Sequence, residues 1–206
     1  MGMPRQRDKQ TWRAEILARR AEVDPSRHDA EAAALAVAVR ALRGAAVACA
    51  YVPVRGEPGS TAMLDELRSG GTRVLLPVTG APGALTWGEY TGAADLRRAR
   101  YGLLEPAGRE LGPEVVAEAE VILVPALAVD RRGVRLGRGA GYYDRTLGAA
   151  GRGARLIAVV RDEEFVARLP EEEHDVRVGW VLTPGGGLVR LEGSADGPGT
   201  VEHHPD

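Results

Sequence analysis

The chain has 206 residues, 44% of them hydrophobic and 27% charged, enough for one domain with a sizeable core and cramped for two. A formal net charge of -2 argues against a general nucleic-acid binder, and a single cysteine, Cys49, excludes an internal disulfide. Met1 to Lys9 holds no apolar h-region and no apolar run approaches the ~20 residues that span a bilayer, so a soluble cytoplasmic protein is expected.

Helical periodicity runs from Asp8 to about Val23, with Trp12, Ile16 and Leu17 on one side and Asp8 as N-cap. A second helix is predicted from Pro25 to Leu42, opened by proline and carried by the alanine-rich stretch Ala32 to Val39. Ala45 to Val52 is continuous and apolar, as buried parallel strands are, with Cys49 packed inside it. Ser60 to Leu67 reads as a helix and Arg73 to Val78 as a strand. Ala81 to Gly112 is rich in glycine and proline, and its weak periodicity assigns it no element. Then come a short helix, Pro113 to Ala119, and a strand, Val121 to Val124. Beyond a glycine-rich loop follow a helix at Tyr142 to Leu147, a strand at Arg155 to Val160, a helix at Asp162 to Leu169 and a strand near Val176 to Thr183. The polar, glycine-rich tail Glu192 to Asp206 is expected to be disordered, with His203 and His204 incidental rather than a metal site. Strands alternating with helices predict a single α/β domain over residues 1–191, three layers with a mainly parallel sheet flanked by helices on both faces. Ligands gather at the carboxyl ends of such strands, which directs attention to the loops after Val52, Val78 and Val124.

The most informative stretch is Arg135-Leu-Gly-Arg-Gly-Ala-Gly-Tyr-Tyr-Asp-Arg145. Glycines at alternate positions, Gly137, Gly139 and Gly141, leave no Cβ where backbone must turn sharply or let an anion approach. Free amides before a helix cradle phosphate oxygens, three arginines add positive charge, and Asp144 is placed where a phosphate-bound metal could sit. The spacing is neither that of a P-loop nor of the dinucleotide fingerprint, and a glycine-rich hairpin is the plain alternative. Of the 27 basic residues only Lys9 is a lysine. A compact ammonium suits phosphate as a point charge, which suggests Lys9 as a position where guanidinium does not substitute, chance being the alternative.

These residues resemble the signature of the 5-formyltetrahydrofolate cyclo-ligase family. The central match is Leu123 to Asp130, Gly133 and Arg135 to Arg145; around it Lys9 and Arg13, Tyr51 to Glu57, Gly102 to Pro106, and His174-Asp175 with Val181 to Pro184 fall in the family's order. The resemblance implies an ATP- and Mg²⁺-dependent enzyme that converts 5-formyltetrahydrofolate to 5,10-methenyltetrahydrofolate by phosphorylating the formyl oxygen. It implies that Lys9 and Arg13 contact ATP phosphates and that Arg135, Leu136, Gly137, Arg138, Gly139, Ala140, Gly141, Tyr142 and Tyr143 wrap the nucleotide. Within that loop Arg138 to Tyr142 also approach the folate, with Lys9, Arg138 and Tyr142 as the catalytic set. Asp144 and Asp175 are the implied Mg²⁺ ligands, and Glu57 the carboxylate that holds the pterin, with Val52 lining its pocket. Trp87 and Tyr90 are candidates to stack on folate rings, core packing being the alternative for Trp87. Its departures from the pattern are Ala140, where some members carry Gly or Lys, and Gly179, where an acid is often found. The implied partners are small molecules, without nucleic acid or membrane, and the chain is expected to act as a monomer. Two other readings share the scaffold: a nucleotide-binding module without turnover, and a sugar-phosphate isomerase or acyl-CoA transferase, which would need no ATP–Mg²⁺ constellation.

Overall fold

A computed structural model of the chain describes residues 8–54, 56–78, 84–139 and 141–192. Its strands in chain order are β1 (Val47–Cys49), β2 (Arg73–Val78), β3 (Thr86–Glu89), β4 (Leu96–Arg98), β5 (Leu104–Pro106), β6 (Glu110–Leu111), β7 (Val121–Pro125), β8 (Ala128–Asp130), β9 (Arg135–Leu136), β10 (Arg155–Val159), β11 (Phe165–Val166), β12 (Trp180–Thr183) and β13 (Gly187–Arg190). The α-helices are α1 (Lys9–Ala21), α2 (Pro25–Ala38), α3 (Thr61–Ser69) and α4 (Tyr142–Leu147).

Eight strands form the main sheet in the order β13-β12-β10-β7-β1-β2-β3-β6. Its five central strands, from β12 to β2, pair in parallel, and antiparallel β13, β3 and β6 close the two edges. Strand pleating divides the core, because successive side chains point to opposite faces. Val74, Leu76, Val121 and Leu123 face α2 and α3. Leu75, Ile122, Val124 and Ala158 face the 3₁₀ helix Pro113–Glu118 and Leu147 of α4. Helical elements therefore cover both faces, as α/β sheets buried on two sides require.

Three helix starts follow the capping rule that a short polar side chain accepts from an early amide. Asp8 accepts from Thr11 N at 2.7 Å, Asp24 from Ser26 N at 2.8 Å and Ser60 from Ala62 N at 3.3 Å. The second predicted helix extends to Leu42 only by tightening into a 3₁₀ turn, Val39–Leu42.

Other expectations are corrected. The Ala81 to Gly112 stretch, whose residues 81–83 lie outside the described ones, carries β3 to β6 and two 3₁₀ turns. Asp162 to Leu169 is a 3₁₀ turn, Asp162–Glu164, followed by β11, because Phe165 and Val166 pair with Val129 and Asp130 of β8. The long strands expected at Ala45 to Val52 and Val176 to Thr183 shorten to β1 and β12, and β13 carries a strand no pattern had assigned. The tail beyond Glu192 lies outside the described residues.

A second, three-stranded sheet, β11-β8-β9, packs against α1. Ile16 and Trp12 of α1 meet Leu127, Ala128, Val134 and Leu136. Asp130, fully buried, holds this unit together: it accepts from Arg132 N, Val134 N and Leu169 N at 2.9, 3.0 and 3.0 Å and pairs with the Arg132 guanidinium at 2.8 Å. Five donors on one carboxylate fix the β8–β9 turn and the segment after β11 in one register. That register sets where β9 delivers the glycine loop.

Candidate active site

A cavity of ≈ 410 Å³ opens where three distant segments meet, within the size range of small-molecule sites. The first two turns of α1 supply Lys9 and Arg13, which share a face because they stand four residues apart on a helix. The glycine loop between β9 and α4 supplies Arg135, Leu136, Gly137, Gly139 and Gly141, and α4 adds Asp144 and Arg145. The segment before β12 supplies Glu172, His174 and Asp175.

The loop is docked onto α1 by Arg13, whose Nε donates to Gly137 O at 2.9 Å. Gly139 and Gly141 hold φ of 102° and 68°, a left-handed backbone that side chains with a Cβ disfavour, so the loop enters α4 without crowding the cavity. Ala140 lies outside the described residues. Leu136 turns into the small core while Arg135 points the other way and donates to Asp144 Oδ1 at 2.5 Å.

Lys9 lies between two carboxylates. Its Nζ donates to Asp175 Oδ1 and Oδ2 at 2.9 and 2.8 Å and stands 2.9 Å from Glu172 Oε2. Burial opposes the charge on both partners; the pairing outweighs it, raising the lysine above its ordinary pKa and lowering the Asp175 carboxyl. Asp175 is further held by Glu172 N at 2.8 Å. Among the described residues Glu172, His174 and Asp175 form one group that brings potential metal-ligand atoms within 4.8 Å of one another, with the Lys9 ammonium bound to two of its carboxylates. Each expected metal carboxylate, Asp144 and Asp175, is thus paired with a cation.

Glu57, 7% exposed, sits on the loop after β1. Its Oε1 accepts from Arg138 Nε at 3.1 Å and its Oε2 from Val54 N at 3.1 Å, so the expected pterin carboxylate meets the glycine loop's arginine. Val52 is half-buried against the core beside it in sequence. Tyr142 is exposed beneath the Arg145 guanidinium, 5.2 Å from its ring centroid. Tyr143 turns inward; its hydroxyl is buried with no hydrogen-bond partner among the described residues, and burial, with the charge of Glu57, pushes the phenol well above its ordinary pKa.

Trp87 is fully buried among Cys49, Leu75, Val116 and Ile122, the core packing that stood as the alternative to stacking on a folate ring. Tyr90 is likewise buried, its hydroxyl donating to Asp65 at 2.8 Å. Arg145, expected only as one of the arginines charging the loop, lines the cavity, as do His174 and Glu172, to which the sequence assigned no role. Glu172 stood in the Glu171–Glu173 run, which reads as solvated until Lys9 is brought to it.

Comparison with known proteins adds relatives. The family model described as the 5-formyltetrahydrofolate cyclo-ligase family matches residues 5–184. A 5-formyltetrahydrofolate cyclo-ligase of Mycolicibacterium smegmatis is 49% identical over 191 residues, covering 90% of this chain and 98% of that protein. The cyclo-ligase of Escherichia coli is 31% identical over 139 residues, 65% of this chain and 75% of its own. In fold, the chain resembles the 5,10-methenyltetrahydrofolate synthetase of Aquifex aeolicus, with a TM-score of 0.71, 24% identity and coverage of 95% and 99%. A synthetase of the same name from Mycoplasma pneumoniae follows at a TM-score of 0.68, 17% identity and coverage of 85% and 98%. Among the described residues no helix is long and apolar enough to cross a membrane.

Proposed function

Because the chain belongs to the 5-formyltetrahydrofolate cyclo-ligase family and is an enzyme of that class, we propose that it couples ATP cleavage to closure of 5-formyltetrahydrofolate into 5,10-methenyltetrahydrofolate, at the cavity between α1 and the glycine loop. The carrying observation is that Lys9, Arg13, Arg135, Asp144 and Asp175 line one cavity although they come from three separate stretches of chain.

The chemistry explains the residue types. A formamide oxygen is a poor leaving group and its phosphate ester a good one. In the proposed step the formyl oxygen attacks the γ-phosphorus, the bond to the bridging oxygen breaks, and ADP leaves. The folate N10 then adds to the activated carbon, closing the ring, and inorganic phosphate carries away the oxygen. Such transfers are catalysed by positioning and charge neutralisation rather than by covalent intermediates on the protein.

Lys9 and Arg13 bind phosphate oxygens from the α1 side, and the loop from Arg135 to Tyr143 encloses the nucleotide. Arg138, already against Glu57, lies where nucleotide and folate meet and steadies the transferred group, with Tyr142 beside it. Glu57 accepts from adjacent N–H donors of the pterin, and Val52 lines that pocket. The donor set fits Mg²⁺: Asp144 and Asp175 are hard oxygen ligands that both line the cavity, and phosphate oxygens and water complete such sites. Bound there, the ion supplies neutralisation of charge on the phosphates. Arriving phosphate replaces the carboxylates as partner of Lys9 and Arg135, which frees Asp175 and Asp144 for the ion.

The test is the absorbance of methenyltetrahydrofolate when the protein meets 5-formyltetrahydrofolate. A rise that needs both ATP and Mg²⁺, with one ADP formed per product, is expected. A rise without ATP, or ATP hydrolysis uncoupled from product, overturns the proposal.

A further inference from the structure

Beneath the Glu57 turn lies a cluster of buried charges outside the cavity. The side chains of Arg161, Arg20 and Glu164 are 1%, 3% and 4% exposed. Arg20 grips Glu164 with two hydrogen bonds, at 2.7 and 2.8 Å, and also donates to Ala126 O at 2.8 Å. Ion pairs this deep cost desolvation that their attraction scarcely recovers, so stability alone is a poor account of them.

Arg161 shows what the cluster holds. Its Nε donates to Glu31 Oε2 at 2.6 Å, and its backbone N to Glu164 Oε2 at 2.9 Å. Its Nη1 donates to the carbonyl of Gly56 at 2.9 Å. Gly56 is the residue before Glu57. The turn is also closed from within, by Glu57 N donating to Val54 O at 3.0 Å and Val54 N to Glu57 Oε2 at 3.1 Å. Gly56, at φ 76°, sits so close to α1 that a Cβ there would lie 3.4 Å from Arg20 O. The turn is therefore seated on the end of α1, and Arg161 is the side chain that ties its backbone to the loop after β10. A guanidinium presents its donors in a rigid fork, so one group spans Glu31 and Gly56 in directions a single ammonium does not.

We propose that Arg161 is a positioning residue for substrate: by holding the Gly56 carbonyl it sets the Glu57 carboxylate where the formyl folate's ring binds. Glu31 and Glu164 compensate its charge, and Arg20 holds Glu164. The inference rests on Glu57 being the folate-binding carboxylate.

Arg161→Lys keeps the buried charge and loses the hold on Gly56. The expected result is a KM for 5-formyltetrahydrofolate raised about tenfold, the scale of one charge-assisted hydrogen bond, with kcat and the KM for ATP changed less than about twofold. In a Glu57→Gln background the same substitution adds nothing further, because Arg161 acts through Glu57. Glu31→Gln, which disturbs the cluster but leaves Arg161 on Gly56, lowers the melting temperature without moving the folate KM. An unchanged folate KM in a folded Arg161→Lys protein overturns the proposal, as does a full effect that persists with Glu57 replaced. A parallel rise in both KM values, or an equal rise in Glu31→Gln, shows general loosening and also overturns it. A folate KM untouched by Glu57→Gln alone removes the reading of Glu57 itself, a failure distinct from one confined to Arg161. If Arg161→Lys does not fold, Arg161→Gln is measured in the same comparisons.

Discussion

Lys9 is a residue whose charge is held by two carboxylates. Its ammonium is held by Asp175 and Glu172 at 2.8–2.9 Å, in a site expected to exchange those carboxylates for phosphate. Removing it should therefore affect turnover far more than folding. Lys9→Ala is expected to lower kcat/KM by about 100-fold, the loss typical of one charge-stabilising group, while the urea midpoint moves little. Normal ATP-dependent turnover in that variant would refute its role. Cys49 illustrates the opposite case, a reactive group made inert by its surroundings. Burial in the sheet, helped by the Glu118 carboxylate, pushes its thiol from an ordinary 9.0 up to about 12. The folded state keeps the proton that the unfolded chain releases, so this contribution to stability is complete below pH 9.0 and lost as pH rises toward about 12. Native protein should not react with a disulfide reagent at pH 8, and one thiol should appear on denaturation. The fall in urea midpoint between pH 9 and 11 should be shallower in Cys49→Ala; equal slopes would show that Cys49 is not the group responsible.

The turn between β8 and β9 connects the small sheet to the cavity. Gly133 has φ of 86°, and a Cβ there would lie 2.1 Å from Val178 O, an overlap that backbone must relieve by moving. Gly133 O also accepts from Val178 N at 2.9 Å, so the turn fixes the segment that carries Asp175 three residues earlier. Gly133→Ala is expected to cost about 3 kcal/mol and to weaken ATP binding through Asp175; a urea titration and the KM for ATP check the two effects. A stable variant with normal KM would mean that the segment tolerates the shift. This coupling was not legible in the sequence, where Gly133 stood only as part of a resemblance. Elements with strong local signals were legible: α1, α2 and α3 begin at capping residues, and β2 and β7 at continuous apolar runs. What escaped was decided by partners. The two- to four-residue strands β3, β4, β5 and β6 are too short to show a period, and pairing defines them, β3 and β6 in the main sheet and β4 with β5 in a separate two-stranded one. Phe165 and Val166 carry a helical pattern, yet β8 offers them an edge. The phosphate and metal candidates were readable from a motif. Glu172 was not, because its meaning depends on Lys9 lying 163 residues away in sequence yet 2.9 Å away in space.

That separation shapes how the whole molecule responds to ligand. The cavity joins the start of α1, the loop from β9 to α4 and the segment before β12, and none of its lining residues belongs to the main sheet. Apart from the packing of Trp12 and Ile16 on Leu136, direct ties between these segments are polar: Arg13 to Gly137 and Lys9 to Asp175. Such contacts open locally at lower free energy than the core strands, which leaves the site the less stable part of the protein. A ligand that binds all three segments at once stabilises the folded state by mass action, about 2.7 kcal/mol at 100 times its dissociation constant. For a chain of this length that is a rise in Tm of about 5–10 °C. ATP with Mg²⁺ should produce it without folate, and amide exchange should slow in all three segments together. Protection confined to the glycine loop would show that nucleotide does not engage Lys9 or Asp175, and the site would then be built on one segment rather than three. Lys9→Ala separates the alternatives further: it should reduce the thermal shift with ATP–Mg²⁺ and abolish the locally slowed exchange at the start of α1.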